Sequence, residues 1–213
     1  MRSFPPIDPK IPGQEWYYAL DKLKGNIALD IGAHGGDYSL RLSRRFVSVY
    51  AFEPDPTNRY VLETNIRVNR VRNVNIDPRA VSDLSARAML RRSSKVRSGS
   101  TLSQKHYDWV TFDSASEVET VSLDDWYREN RRPRVGFVKI DAEGHETAIL
   151  KGAGELFSLA RPLVGLEVHG PAKSLGKCEC EACSLLRSYG YVLDTRKPAL
   201  NATAHWSLGT PSS

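Results

Sequence analysis

Apolar positions along this chain alternate between helical and strand-like spacing. Gln14 to Lys24 carries Trp16, Tyr17, Leu20 and Leu23 at helical intervals and stops at Gly25, which predicts a helix. Ile27-Ala-Leu-Asp-Ile31 is a short apolar run halted by Gly32, the mark of a buried strand. Asp37 to Phe46 resumes helical spacing through Tyr38, Leu40 and Leu42, and Val47 to Phe52 is strand-like up to Glu53-Pro54. Pro56 to about Asn69 is helical again, with Pro56 suited to a first turn. Val74–Ile76 and Ala80–Ser82 are short extended pieces. Residues 86–121 are irregular, with strands expected at Ala88–Leu90 and Val118–Val121. Ser122 caps a helix over Leu123–Asn130 with Asp124 and Asp125 in its first turn. Val135–Ile140 is a strong strand, followed by the polar run Asp141–Glu146 and one helix to about Leu159. Leu163–Val168 is a strand, Leu185 and Leu186 mark a helix, and strands near Tyr191–Leu193 and Trp206–Leu208 complete the pattern.

From Ile27 onward strands alternate with helices, and the strands are apolar on both faces. That pattern implies an α/β fold with a mainly parallel sheet of about seven strands and helices on both faces. In such sheets ligands bind beyond the carboxyl ends of the strands. The polar clusters at Asp30–Asp37, Glu53–Asp55, Ser82–Asp83, Asp141–Glu146 and Glu167–His169 all follow strands, so they are expected to gather at one edge. Residues 1–13, with Pro5, Pro6, Pro9 and Pro12, read as an extended lead-in, and residues 14–213 as one domain.

Composition narrows the class. Of 213 residues, 40% are hydrophobic and 26% charged, the balance of a globular protein rather than a disordered one. No apolar run approaches a membrane span, and the first residues hold no apolar signal core, so a cytoplasmic protein is expected. The net charge is +5, and Arg87, Arg91, Arg92, Lys95 and Arg97 crowd one Ser-rich stretch. That stretch reads as a solvated loop or as a contact for nucleic acid or a phosphosugar. No aromatic residue interleaves the basic ones, so the stacking half of a single-strand surface is missing. All three cysteines fall in Cys178-Glu-Cys180-Glu-Ala-Cys183, which is not a disulfide framework. Reduced thiols at a helix start are expected; a structural metal with His169 as fourth ligand is the alternative.

The strand, glycine-rich turn and helix at Asp30–Asp37 make a place where backbone N–H groups can approach a ligand closely. Gly32 lets the chain turn, Gly36 opens the helix without obstruction, and Asp30 or Asp37 can face a cationic group. Glu53, roughly 20 residues beyond Gly32, stands where an acid can hold both hydroxyls of a ribose. The glycines Gly32, Gly35 and Gly36 do not fit the Gly-x-Gly-x-x-Gly spacing that accommodates pyrophosphate. An acidic loop repels pyrophosphate and attracts a sulfonium and an α-ammonium group, which points to S-adenosylmethionine.

At this point the chain resembles the FkbM-type methyltransferases over roughly Ala28 to His169. The resemblance rests on Leu29-Asp-Ile-Gly-Ala-His-Gly-Gly-Asp37, Val49-Tyr-Ala-Phe-Glu-Pro-Asp-Pro56, Ala80-Val-Ser-Asp83, Val121-Ser-Leu-Asp-Asp125, and Val138-Lys-Ile-Asp-Ala-Glu-Gly-His-Glu146 followed by Leu150-Lys-Gly-Ala153. Where family members usually have Asn then Ile, this chain has His34 and Gly35. The resemblance implies a Rossmann-like class I methyltransferase fold. It also implies that Gly32, Ala33, His34 and Gly36 wrap the methionine part, with Asp30 and Asp37 beside them. Glu53 and Pro54 would sit at the ribose, Ala80, Val81 and Ser82 at the adenine, and Asp141 at the amino group or the acceptor. The implied reaction is methylation of a hydroxyl oxygen on a sugar or sugar-containing small molecule.

Methyl transfer to oxygen is an in-line displacement in which alignment supplies much of the rate, and the acceptor hydroxyl must lose a proton. His169 is the first candidate for the base, because it closes a strand and imidazole titrates near neutrality; Asp141, Glu143 and His145 are the others. Glu146 can instead cap the helix that starts near His145. Asp141, Glu143, Glu167 and His169 could also hold Mg²⁺ or Mn²⁺, although nothing in their spacing requires a metal and none is predicted. No Asn-Pro-Pro-Tyr or Asp-Pro-Pro-Tyr run follows the Val135–Ile140 strand, which favours oxygen over an exocyclic amine. Two alternatives stay open: ribose methylation of RNA guided by the basic 87–97 segment, and a scaffold that binds the cofactor without catalysis.

Overall fold

The computed structural model describes residues 20–95, 100–103, 111–169, 180–195 and 204–212. In chain order the strands are β1 (Gly25–Ile31), β2 (Phe46–Phe52), β3 (Val74–Asp77), β4 (Ala80–Ser82), β5 (Arg87–Arg92), β6 (Ser114–Ser122), β7 (Val135–Ile140), β8 (Leu163–His169), β9 (Tyr191–Thr195) and β10 (Ala204–Pro211). The helices are α1 (Asp37–Leu42), α2 (Pro56–Val68), α3 (Leu123–Glu129), α4 (Glu146–Lys151), α5 (Gly154–Leu159) and α6 (Glu181–Ser188).

Seven strands form one sheet in the order β3-β2-β1-β7-β8-β10-β9. β1, β2, β3, β7 and β8 are parallel, and β10 runs antiparallel between β8 and β9. The runs read as apolar on both faces are sealed on both faces: Leu29, Val49, Val138 and Leu166 have no exposed surface. The order of strands reverses between β1 and β7, because the chain goes from β1 to β2 on one side and later returns to β7 on the other. A crevice therefore opens at the carboxyl ends of β1, β2 and β7.

Local chemistry fixes the helix starts. Asp55 accepts from the backbone N–H of Thr57 (2.8 Å) and Asn58 (3.3 Å), with Pro56 following as the first residue of α2. Ser122 accepts from Asp125 N (3.0 Å) and caps α3 as the sequence suggests. Trp126 then anchors α3 to the sheet, packing edge-on against Tyr50 at 4.9 Å and Phe52 at 5.9 Å between ring centroids. Such pairs are each worth about 1 kcal/mol beyond the area they bury.

The structure differs from the sequence reading at four places. Of the helix expected over Gln14–Lys24, residues 14–19 lie outside the described residues, and Leu20–Lys22 is a single 3-10 turn. The helix expected over Asp37–Phe46 ends at Leu42, because Phe46 is claimed by β2, where its ring packs against Phe137. The helix expected from residue 146 to Leu159 is two helices. Gly152 passes so close to β4 that a Cβ there would lie 2.6 Å from the Ser82 carbonyl oxygen. Asp124 then caps the restart by accepting from Glu155 N (3.0 Å) and Leu156 N (2.9 Å). Finally, β4, β6 and β5 form a separate three-stranded sheet, with β6 parallel to β4 and antiparallel to β5. The strand expected at Ala88–Leu90 is present and runs from Arg87 to Arg92, with Leu90 buried and Met89 exposed on its two faces.

Candidate active site

A cleft that opens to solvent lies at the carboxyl ends of β1, β2 and β7. One wall is the turn after β1. Gly32 has φ +74°, and a Cβ there would lie 1.9 Å from the Asp141 carbonyl oxygen, so only glycine lets the ends of β1 and β7 close up. His34 follows at φ +48°, a left-handed conformation that histidine shares with asparagine and aspartate more readily than most side chains do. Gly36 precedes α1 at φ +90°, with Leu62 of α2 packed where its side chain would be.

Glu53, at the end of β2, is buried. Its Oε2 accepts from His34 N (2.7 Å) and its Oε1 from Asp55 N (2.9 Å). Burial pushes its carboxyl up to about 7, against the lowering pull of those two amides. Asp55 makes a second junction. Besides capping α2, it accepts from Arg92 Nε (2.7 Å) and Ser100 Oγ (2.9 Å) through Oδ2. Burial raises the Asp55 pKa, but the hydrogen bonds from Ser100, Thr57 and Asn58 and the Arg92 charge outweigh it and hold the carboxyl below its usual value.

Beneath the β1 turn lies a buried cation that the sequence reading did not assign. Lys139 of β7 is 1% exposed; its Nζ stands 3.2 Å from Asp30 Oδ1 and 3.5 Å from Asp141 Oδ2. It donates to the carbonyl oxygens of Gly32 (2.7 Å) and Ile31 (3.2 Å) and lies 4.9 Å from the centre of the Tyr38 ring. Burial alone would lower the ammonium's pKa; the charges of Asp30 and Asp141 overcome this and raise it above the ordinary lysine value. Asp30 also accepts from Ser39 Oγ (2.6 Å).

The wall after β7 is a tight turn. Glu143 (φ +50°) and Gly144 (φ +92°) are both left-handed, and the buried Glu146 carboxylate holds the turn by accepting from Ala142 N (3.2 Å) and Gly144 N (3.0 Å). His145 Nε2 lies 2.9 Å from Ser82 Oγ, which itself donates to Asp83 Oδ1 at 2.9 Å. Both bonds are satisfied when Nε2 carries the imidazole hydrogen and Nδ1 is the acceptor. Burial holds the His145 pKa below its ordinary value, against the raising effect of Glu146 and Asp83. A strap from the second sheet crosses the cleft: Ser100 is bonded to Asp55, and Thr101 Oγ1 donates to the Glu143 carbonyl at 2.8 Å.

Of the residues singled out from sequence, Gly32, His34, Glu53, Pro54, Ala80, Val81, Asp141, Glu143 and His145 line this cleft. Ala33, Gly36 and Ser82 are buried and are not among its lining residues, and Asp37 is exposed at the start of α1. Of Asp30 and Asp37, the two acids offered to a cationic group on the ligand, Asp30 is sealed from solvent and faces Lys139, whose charge compensates it. His169 ends β8, paired in register with Ala204, while its side chain lies outside the described residues, as does Cys178. Cys180 caps α6, its sulfur accepting from Cys183 N at 3.3 Å. Among the described residues no three His, Cys, Asp or Glu side chains form a metal-ligating group. Phe52, Asn58, Leu90 and the strap residues Ser100, Thr101 and Leu102 line the cleft and were missed. Within the basic stretch, Arg87 is paired with Glu117 and Arg92 with Asp55.

Sheet order, the reversal at β1 and β7, and the cleft beside them define a class I, Rossmann-like methyltransferase fold. The chain resembles the methyltransferase FkbM of Methylobacillus flagellatus KT (TM-score 0.58, 16% identity, 92% of this chain and 50% of that one). It likewise resembles the magnesium protoporphyrin IX methyltransferase ChlM of Synechocystis PCC 6803 (TM-score 0.52, 15% identity, 92% of this chain and 75% of that one). In sequence, residues 30–193 match the family described as methyltransferase FkbM domain, and the chain belongs to that family. A curated relative, the 2-O-methyltransferase NoeI of Sinorhizobium fredii (strain NBRC 101917 / NGR234), is 29% identical over 149 residues. That match covers 63% of this chain and 60% of NoeI.

Proposed function

We propose that the chain is an S-adenosylmethionine-dependent O-methyltransferase whose acceptor is a hydroxyl of a sugar, glycan or sugar-containing small molecule. The observation that carries this reading is the Glu53 carboxylate, buried at the end of β2 and tied by backbone amides to the β1 turn and to Asp55. It stands in a cleft whose other walls are largely apolar: Ile31, Phe52, Val81, Leu90 and Leu102. This donor set fits the cofactor. An acid meets the ribose hydroxyls, a slot of Val81 and Leu90 takes the adenine, and Asp141 meets the α-ammonium group.

S-adenosylmethionine, when bound, supplies an activated methyl group on a sulfonium; the remaining tasks fall to the chain's own residues. Gly32 to Gly36 bring backbone against the methionine end, and Glu53 orients the ribose. Lys139 offsets one of the two carboxylates beside it, so the Asp30–Lys139–Asp141 group keeps a net negative charge toward a cationic ligand. His145 is tied to Ser82 on the Ala80–Val81 wall, which makes it a neighbour of the adenine. His169 ends β8, the strand beyond Asp141 in the sheet order, and is the base that accepts the acceptor's proton. The 2-O-methyl transfer in the relative's name and the family resemblance support an oxygen acceptor.

Calorimetry with S-adenosylmethionine, paired with a methyl-transfer assay on hydroxylated sugars and glycans, tests the proposal. Binding that weakens by at least about tenfold in Glu53→Ala is expected, since hydrogen bonds to a charged group are worth about 1.5–3 kcal/mol. Undiminished affinity would put the cofactor elsewhere. Tight binding without transfer to any acceptor would leave a scaffold.

A further inference from the structure

The edge of the sheet opposite the cleft, where the parallel strands begin, is lined with exposed cations. Arg70 and Arg72 precede β3, Arg44 and Arg45 precede β2, and Lys22 and Lys24 precede β1. On the other side of β1, Arg131, Arg132 and Arg134 precede β7, and Arg161 precedes β8. Every one of these side chains is exposed. Because the strands are neighbours in the order β3-β2-β1-β7-β8, the cations form one row, roughly 19 Å long at the usual strand spacing. The runs touch one another: Asn73 Nδ2 donates to the carbonyls of Ser43 (2.8 Å) and Phe46 (2.9 Å), and Gly25 N donates to that of Arg45 (3.4 Å). Nearby acids are already engaged. Asp21 pairs with the buried Arg41, Glu129 with Arg79, and Glu155 with both Arg128 and Arg132.

Helix C-termini favour a neighbouring cation, and the helices of this fold end at the same edge. That accounts for a basic residue here and there. It does not account for the apolar side chains set among them. Val47, 74% exposed, is the second residue of β2; Val68 (58%) is the last of α2; Leu159 (61%) is the last of α5, two positions before Arg161. Cations interspersed with exposed aliphatic side chains are the composition of a surface that rests on an anionic lipid bilayer, where charge attracts and short apolar groups enter the interface. A nucleic-acid track would instead offer stacking platforms. Among the described residues the large exposed aromatic is Tyr60, in the first half of α2 and away from this edge.

We infer that this edge is a docking surface for an anionic membrane, which holds the protein at the bilayer by its strand starts and leaves the cleft, one strand length away, open to the aqueous side. Among the described residues no helix is long and apolar enough to cross a membrane, and the contact inferred here is a peripheral one. The test is co-sedimentation with phosphatidylcholine vesicles with and without phosphatidylserine, at low and high salt. The expected result is a phosphatidylserine-dependent association that salt reverses. It should weaken by at least about tenfold in Arg45→Glu/Arg72→Glu/Arg134→Glu, while cofactor affinity and thermal unfolding stay unchanged. Val68→Ser/Leu159→Ser should weaken it less and leave its salt dependence intact. Equal binding to both vesicle types, or equal binding by the triple variant, overturns the inference. So does salt-sensitive binding of single-stranded RNA without vesicle binding, which would make the row a nucleic-acid surface.

Discussion

Lys139 and Asp30 form an ion pair with almost no contact with solvent: 3.2 Å separates ammonium from carboxylate, and the two side chains are 1% and 0% exposed. Removing one charge of such a pair leaves the other buried and uncompensated, at a cost of about 3–5 kcal/mol. Lys139→Met should therefore lower unfolding free energy by that order in urea titration, and Asp30→Asn/Lys139→Met should recover part of the loss. A single substitution that costs less than about 1 kcal/mol would mean that water or a rearranged partner solvates Asp30.

Glu53 makes stability pH-dependent in a defined window. Its folded pKa, about 7, lies above the unfolded value near 4.5. The stabilising contribution of the protonated acid is fully present below about 4.5 and is lost as pH rises through 7, a change of about 3 kcal/mol. His145, whose pKa is held down, acts in the opposite sense, contributing above about 6.5 and less as pH falls. The useful measurement is thus the difference between wild type and Glu53→Gln. Wild type should lose ground to the variant between pH 4.5 and 7, and a difference independent of pH would contradict the burial of an ionisable Glu53.

Gly32 and Gly36 both have positive φ, yet their substitutions should differ. A Cβ on Gly32 meets the Asp141 backbone at 1.9 Å, whereas one on Gly36 meets the end of the Leu62 side chain at 2.4 Å, which can rotate away. Gly32→Ala should cost at least about 3 kcal/mol or prevent folding, and Gly36→Ala roughly 1–2 kcal/mol. Similar unfolding midpoints for the two variants would show that the β1 and β7 ends can separate without penalty.

The two histidines separate by which kinetic constant they move. His169→Ala should lower kcat by about a hundredfold or more with cofactor affinity little changed, the range for loss of a general base. His145→Ala should weaken cofactor binding instead. The reverse outcome would exchange their assignments, and two fully active variants would remove the need for either imidazole.

Much of the site was legible because its parts are local. The turn from Asp30 to Asp37 and the Glu53-Pro54-Asp55 corner each follow a recognisable strand, and a parallel sheet collects strand ends at one edge. What was missed depends on contacts between distant segments. Leu90 and Thr101 reach the cleft only because β5 pairs with β6 and with Thr101, and the strand pattern at Ala88–Leu90 does not say which segments it pairs with. Lys139 sits in an apolar run, where a lone charge gives no hint of its partner; Asp30 is more than a hundred residues earlier and meets it only through the pairing of β1 with β7. Asp30 itself was one of the two acids offered to the ligand, because sequence shows its sign but not the cation beneath it.

The Lys139 contacts carry a consequence for the order in which the protein comes together. Its acceptors on Ile31 and Gly32 lie 108 and 107 residues earlier in the chain. An emerging chain that has made β1, β2 and α2 already holds the glycine turn and Glu53, yet leaves the Asp30 charge without a counter-ion until β7 docks. Contacts of such long range form slowly, because loop closure must be met before they stabilise anything. The ability to bind a ligand should thus appear late in refolding, together with the central strand pair, and not with the turn that makes the site recognisable.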